Sequence, residues 1–369
     1  MKKSIIIVGF ALLAGIFVKT SAQEIVYTDA TVLPLYGKAV QETSGRYTRF
    51  PAAYERESRK ALWDLSLNSA GLYIRFRSDA PQINAKWVNR NFQMPHMTEV
   101  GIGGLDLYTL TTDGWRFVGA GFTWTKGTRH ERKIVSNMKP QMREYMLYLP
   151  LYDSIDSLYV GVPEGYTVAL PAVDRPSDNK PVVMYGTSIL QGGCATRAGM
   201  AHTAIISRKL DREVINLGFS GNAHLDPEVA RLMAAVKDPG VFVLDFVPNC
   251  TPALIEEKGE AFFRILREAH PDVPVVFVEN PFFPHAIVDE KTDNDIKENN
   301  ATLRSLYEKM KKEGQMQLYY VAKEGMTGDD GDSFVDGVHL TDLGMLRYAE
   351  HILPTLRTAL GTKRTKELK

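Results

Sequence analysis

The strongest constraint on how this chain can fold is a change of hydrophobic rhythm across a polar, proline-bearing stretch, Pro171 to Lys180. Ahead of it, apolar residues recur at alternate positions in Gly71–Arg77, Ile83–Val88, Leu105–Leu110, Arg143–Leu149 and Ser157–Val162. Alternation of this length, interrupted by Gly, Pro, Asn and Asp, predicts half-buried antiparallel strands. Many such strands in series predict an all-β sandwich, jelly-roll-like. Beyond the stretch, short apolar runs at Val182–Tyr185, Val214–Leu217, Val241–Phe246, Val273–Val278 and Gln317–Val321 take over. They alternate with helix-like segments at Ala201–Leu210, Pro227–Val236, Ala253–Ala269, Asp295–Lys312 and Leu343–Leu360. That order predicts a parallel sheet covered by helices on both faces. In such sheets reactive groups gather at the carboxyl ends of the strands. A chain of 369 residues exceeds what one core usually organises. The expected division is a β-domain over 24–175 and an α/β domain over 178–369.

The first residues carry Lys2 and Lys3, an apolar run from Ile5 to Val18, then Thr20, Ser21 and Ala22. Charge, then a short apolar run, then small residues reads as a secretory signal peptide, 1–22, cut after Ala22 or Gln23. The run is too short for a membrane anchor, so the expected product is secreted or periplasmic and carries no anchor after cleavage. Lys plus Arg equal Asp plus Glu at 44 each, which leaves no net field to attract nucleic acid. Cys194 and Cys250 are the only cysteines. An oxidising compartment permits them to pair, and a single disulfide is expected ahead of two free thiols.

Tyr185-Gly186-Thr187-Ser188 closes the first apolar run of the second half, with Gly192 and Gly193 soon after. A serine on a tight, glycine-assisted turn after a buried strand can present its hydroxyl near a helix amino terminus. By itself such a serine is commonly a turn or cap residue. Asp336 and His339 stand three residues apart before the last helical segment. Serine hydrolysis needs a base and a carboxylate to orient it, which these two can supply; a turn cap and a surface histidine are the alternatives. No further His or Cys cluster with ligand spacing accompanies them, so no metal and no cofactor is expected. Gly221 and Asn249 follow the second and third apolar runs. The Gly221 amide and the Asn249 side chain are suitable donors for a tetrahedral oxyanion, or else a turn glycine and a loop cap. The loop Asn280 to His285 follows the fourth run, and Phe282, Phe283 and His285 are candidates either for a substrate pocket or for packing. His202 and His224 are expected to be capping or surface residues.

Ser188, Gly221, Asn249 and the Asp336–His339 pair, in that order, resemble the SGNH/GDSL hydrolase family. The resemblance covers about half of the chain. It implies a flavodoxin-like three-layer α/β/α domain and esterase or lipase chemistry. By that resemblance Ser188 is nucleophile and oxyanion donor, Gly221 and Asn249 are further oxyanion donors, His339 is the base and Asp336 its orienter. Thr187 replaces the usual Asp before the serine, and Asn249 lacks the usual preceding Gly and following Asp. Gly104-Leu-Asp-Leu-Tyr108 is similar to the GxDLY signature of a β-rich domain found ahead of some bacterial SGNH hydrolases. The expected function is a secreted serine esterase that works through an acyl-enzyme and deacetylates a carbohydrate or related small ester. The alternatives are a lysophospholipase or thioesterase acting on lipid, and a non-catalytic glycan-binding protein on a hydrolase scaffold.

Overall fold

The computed structural model describes residues 23–123, 127–173 and 180–361; the expected signal peptide lies outside the described residues. Residues 25–169 supply the antiparallel part of the molecule. Its strands are β1 (Ile25–Asp29), β2 (Leu35–Tyr36), β3 (Tyr73–Ser78), β4 (Ile83–Asn89), β5 (Leu105–Thr111), β6 (Gly114–Gly121), β7 (Arg129–Val135), β8 (Arg143–Tyr148), β9 (Ile155–Pro163) and β10 (Val168–Ala169). Three short helices, α1 (Tyr54–Glu57), α2 (Lys60–Ser66) and α3 (Glu99–Gly103), interrupt them. One sheet has the order β1-β9-β4-β7; the other runs β10-β3-β8-β5-β6, with β2 alongside β3. Alternation explains how the two join. Ile83, Ala85, Trp87, Leu158 and Val160 of the first sheet meet Ile74, Phe76, Leu105, Leu107, Tyr145 and Leu147 of the second in one core. This is a sandwich, and it is built from the strands that the period-2 runs predict together with β1, β2, β6, β7 and β10.

The second part contains β11 (Val182–Gly186), β12 (Val214–Gly218), β13 (Val241–Asp245), β14 (Val275–Val278) and β15 (Leu318–Val321). They pair in parallel in the order β12-β11-β13-β14-β15, the flavodoxin-like order. The helices are α4 (Ser188–Gln191), α5 (His202–Leu210), α6 (Pro227–Ala234), α7 (Pro252–Ala269), α8 (Glu290–Lys312) and α9 (Asp342–Ala359). The apolar runs are continuous because β11 to β14 are buried on both faces, while the edge strand β15 is half-buried. Val182, Met184, Val241, Val243, Val276 and Val278 face α5 and α9. Val183, Tyr185, Ile215, Leu217, Phe242, Leu244 and Phe277 face α6, α7 and most of α8. Among the described residues no helix is long and apolar enough to cross a membrane.

The sandwich and the α/β layers share a core. Tyr73, Tyr108, Met146 and Tyr148, on the outer face of the second sheet, lie in the same apolar cluster as Leu151, Ile189, Ala198, Ala201 and Ile205. A polar staple crosses this junction. Asp106 is buried, and its Oδ2 accepts from Arg197 Nη1 at 2.8 Å and from the Gly199 amide at 2.7 Å. Arg197 Nη1 also donates to the Tyr108 hydroxyl at 2.6 Å, and the guanidinium lies 3.8 Å from the Phe117 ring centroid. The Asp and Tyr of Gly104–Tyr108 thus hold the segment that connects α4 to α5. Truncating Asp106 to Ala leaves the Arg197 cation and the Gly199 N–H without their buried acceptor. The expected cost is about 3 kcal/mol of unfolding free energy, read as a lowered urea midpoint; an unchanged midpoint would refute the staple.

Candidate active site

β11 must end in a residue without a side chain, because a Cβ at Gly186 would lie 2.4 Å from the Asp245 carbonyl oxygen. Thr187 Oγ1 then accepts from the Ile189 amide at 3.3 Å and caps α4, which makes Ser188 the first residue of that short helix. On the far side, Asp336 Oδ1 accepts from the amides of Val338 at 3.0 Å and His339 at 2.8 Å. This side-chain-closed turn is what three-residue spacing achieves. It brings Asp336 Oδ2 to 2.7 Å from His339 Nδ1, while His339 Nε2 lies 2.9 Å from Ser188 Oγ. The Cys194 amide donates to the Leu340 carbonyl at 3.2 Å and the Leu340 amide to the Gly193 carbonyl at 3.3 Å, tying the two loops together. Burial pushes the Asp336 carboxyl up, but bonds from the amide and ring of His339 and the amide of Val338 outweigh it and hold it at about 2. A carboxylate on Nδ1–H leaves Nε2 as the acceptor, so the arrangement can take a proton from Ser188.

The loop after β12 carries Gly221 at φ +64°, with open space where a Cβ would stand. Asn249 closes a turn after β13, and its Oδ1 accepts from the Ala223 amide at 3.3 Å, which turns the amide nitrogen to the other side. The same loop is anchored to α4: Gln191 Oε1 accepts from the Ser220 amide at 3.0 Å. The Gln191 amide nitrogen donates to Asn68 Oδ1 and to the Leu151 carbonyl, both at 3.1 Å. Ser188 and Asn249 therefore sit on loops that are each bonded to the Gly221 loop, at the carboxyl edge of β11, β12 and β13.

Arg49, Arg59 and Tyr152 of the antiparallel part complete this frame, and no local motif marks them. Arg59 donates from Nη1 to Asn222 Oδ1 at 2.8 Å, from Nη2 to the Asn222 carbonyl at 3.1 Å, and from Nε to Asp226 Oδ1 at 2.9 Å. It grips the loop directly after Gly221. Arg49, fully buried, donates to the carbonyls of Gly218 at 2.7 Å and Leu65 at 2.6 Å, and lies 4.6 Å from the Phe219 ring. Burial pushes its guanidinium down to about 9, so the cation persists at neutral pH, held by carbonyl oxygens and a ring face. The Tyr152 hydroxyl donates to the Ser188 carbonyl at 3.2 Å. His96, from the loop between β4 and α3, brings its ring centroid to 5.3 Å from that of His339.

The other sequence candidates are divided. Phe282 lines a cleft of about 290 Å³ with Pro284, Lys323, Thr327 and Phe334. Phe283 is nearly buried and stacks on His285 at 6.0 Å, while His285 Nδ1 abuts Gly337 in the loop that carries the acid and base. The expected disulfide is corrected: Cys194 and Cys250 are both buried and free. Cys250 Sγ donates instead to the Ala223 carbonyl at 3.2 Å, and burial helped by Asp336 pushes the Cys194 thiol up to about 12. His202 is also corrected, since it is wholly buried with its ring 4.7 Å from that of Tyr348, and burial pushes it down to about 3. Ligand spacing along the chain shows no metal-ligating cluster, yet in space His96 and Cys194 join Asp336 and His339.

A hydrogen-bonded Ser–His–Asp series at the carboxyl edge of a flavodoxin-like sheet is the arrangement of a serine acyl hydrolase. Residues 179–357 match the GDSL-like lipase/acylhydrolase family, and residues 25–168 match GxDLY, the N-terminus of the SGNH-hydrolase-type esterases. The structure is similar to that of a protein designated a GDSL-like lipase from Bacteroides ovatus: 34% identity over 92% of this chain and 99% of that one, TM-score 0.87. The chain belongs to the GDSL-like lipase/acylhydrolase family and is an esterase or acylhydrolase. The salicylyl-acyltransferase SsfX3 from a tetracycline biosynthetic pathway shares the fold at 18% identity, covering 92% of this chain and 99% of its own, TM-score 0.74. A family two carbohydrate esterase from Cellvibrio japonicus does so at 13% identity, with the same two coverages and TM-score 0.59. No curated protein sequence matches the chain.

Because Arg59 fixes the backbone beside Gly221 without lying in the Ser–His–Asp series, its loss should misplace a donor and leave the base intact. Arg59→Ala is expected to lower kcat on a short-chain nitrophenyl ester on the order of tenfold, with KM little changed. Equal kcat in mutant and parent would separate Arg59 from the site.

Proposed function

We propose that this protein is a secreted or periplasmic serine esterase that removes acetyl or similarly short acyl groups from a carbohydrate through an acyl-enzyme. The observation that carries the chemistry is the unbroken series Ser188 Oγ–His339–Asp336 at 2.9 and 2.7 Å. In this reading His339 Nε2 takes the Ser188 proton as Oγ attacks the ester carbonyl. The oxyanion settles against the Ser188 and Gly221 amides and the Asn249 side chain. Collapse expels the alcohol, which takes the proton from His339, and a water activated by the same nitrogen releases the acid. Neither step calls on a metal or an organic cofactor. The lysine pair, apolar run and small residues of 1–22 support export. The fold shared with a carbohydrate esterase is in keeping with a glycan ester.

Ser188→Ala is expected to abolish both turnover and labelling by a fluorophosphonate probe while the thermal midpoint stays within about a degree or two, since only one hydroxyl is removed. A variant that still labels would remove Ser188 from the role. With the parent enzyme, turnover should be highest on acetyl esters and fall as the acyl chain lengthens; a rise through octanoyl would favour the lipid reading. Asp336 is held at about 2 and stays ionised through the acid range. The Asp336 carboxyl should therefore contribute no ionisation to the acid limb of kcat/KM above pH ~4, and a limb with a slope of two there would mean that a carboxyl titrates after all.

A further inference from the structure

His96 has no part in the proton transfer described above, yet it is placed with care. Asp153 accepts from the amides of Arg90 and Phe92, each at 3.0 Å, and fixes the start of the loop; Thr98 Oγ1 caps α3 by accepting from the Gly101 amide at 3.1 Å and fixes its end. The His96 ring is then inclined 37° to the His339 ring, and its Nε2 is shut off from solvent with no hydrogen-bond partner. A buried imidazole nitrogen left without a partner is costly and calls for an explanation. Next to it is the free thiol of Cys194, buried on the turn after α4. One ligand atom from each of His96, Cys194, Asp336 and His339 lies within 4.8 Å of all the others. In a four-coordinate zinc site, bonds of about 2.0–2.3 Å set the ligand atoms roughly 3.3–3.8 Å apart. The four side chains need to close by only about an ångström to reach that geometry.

We infer that His96, Cys194, Asp336 and His339 form an inhibitory site for a borderline-soft divalent cation, Zn²⁺ above all. Two imidazoles, one thiolate and one carboxylate suit Zn²⁺ and give too few oxygens for Ca²⁺ or Mg²⁺. Binding releases the Cys194 thiol proton to solvent and involves no electron transfer. The inhibition follows from the ring of His339 whichever nitrogen the ion takes. If the ion takes Nε2, the lone pair that would accept the Ser188 proton is used directly. If it takes Nδ1, the ring proton is left on Nε2, and Ser188 again has no acceptor. Asp336 is the exposed member of the four and offers the side from which the ion approaches. The inhibitory consequence rests on the reading of His339 as the base, whereas the binding site itself does not.

The test uses metal-stripped full-length protein and ZnCl₂. One equivalent is expected to bind both the parent enzyme and Ser188→Ala by calorimetry, and to suppress turnover of nitrophenyl acetate reversibly, with EDTA restoring it. Co²⁺ in place of Zn²⁺ should give a thiolate charge-transfer band that Cys194→Ser lacks. His96→Ala and Cys194→Ser should keep zinc-free turnover and lose at least about tenfold in sensitivity to Zn²⁺. Absence of binding to Ser188→Ala, or inhibition unchanged in both ligand variants, would overturn the site. Cobalt–thiolate binding in a protein that hydrolyses no ester would keep the site and sink the esterase reading; ester hydrolysis indifferent to Zn²⁺ would do the reverse.

Discussion

The structure depends on a sheet that is buried on both faces. Leu72, Ile74, Phe76, Leu105 and Leu147 turn toward the partner sheet, while Tyr73, Tyr108, Met146 and Tyr148 turn toward the α/β layers. A sandwich that only tethered itself to a hydrolase would present polar residues on that second face. Here the face is aromatic, and Arg208 lies 4.3 Å from the Tyr108 ring while Tyr73 and Tyr148 pack at 5.3 Å. Separation of the two parts would expose this face and break the Asp106–Arg197 pair together, so the parts are expected to unfold as one unit.

That junction lies close under the reacting groups. The connection from α4 to α5, held by Asp106, begins just after the helix that opens with Ser188. Arg49 reaches the carbonyl that ends β12, and Arg59 reaches the loop that β12 feeds. Strand ends in an α/β sheet have no intrinsic reason to hold their loops at a fixed distance. In this chain the constraint comes from outside the sheet, from guanidinium groups whose several donors can hold more than one backbone carbonyl at a time. Electrostatic stabilisation of an oxyanion requires donors that are already in place when charge develops. The antiparallel part supplies that rigidity, which gives the Gly104–Tyr108 motif a mechanical meaning.

Much of the architecture could be read from periodicity because burial imposes it directly. The strands at 73–78, 83–89, 105–111, 143–148 and 155–163 and every helix from α5 to α9 have patterns set by a core on one or both sides. β7, Arg-His-Glu-Arg-Lys-Ile-Val, does not announce itself, since it is an outer strand with charged residues toward solvent and only His130 deeply buried. Asp336 closes its own turn on the His339 amide, so local spacing encodes the geometry of that pair, whereas Ser188 stands out only through its order with Gly221, Asn249, Asp336 and His339. Arg49, Arg59 and His96 carry no such local signature, because the contact each makes with the loops of the site spans at least 163 positions of the chain. The free state of Cys194 and Cys250 likewise depends on tertiary placement alone.

The buried polar groups follow the same division between what the sheet organises and what crosses to it. Behind the nucleophile strand, Tyr348 of α9 donates its hydroxyl at 2.8 Å to the Asp245 carboxyl, whose proton affinity burial pushes up to about 8. A neutral acid there accepts the tyrosine bond without placing a charge under Gly186, and Asp336 is then the ionised carboxylate that acts on His339. Two aspartates of one domain are thus driven apart in proton affinity by surroundings alone: one faces a hydroxyl in a dry layer, the other faces three N–H donors at a wet edge. The folded pKa of Asp245 is raised above its unfolded value of about 3.9, so its contribution to stability is fully present below that value. It is lost as the pH rises through about 8. The edge that carries the reacting groups is therefore tuned by charge, and the layer beneath it by the absence of charge.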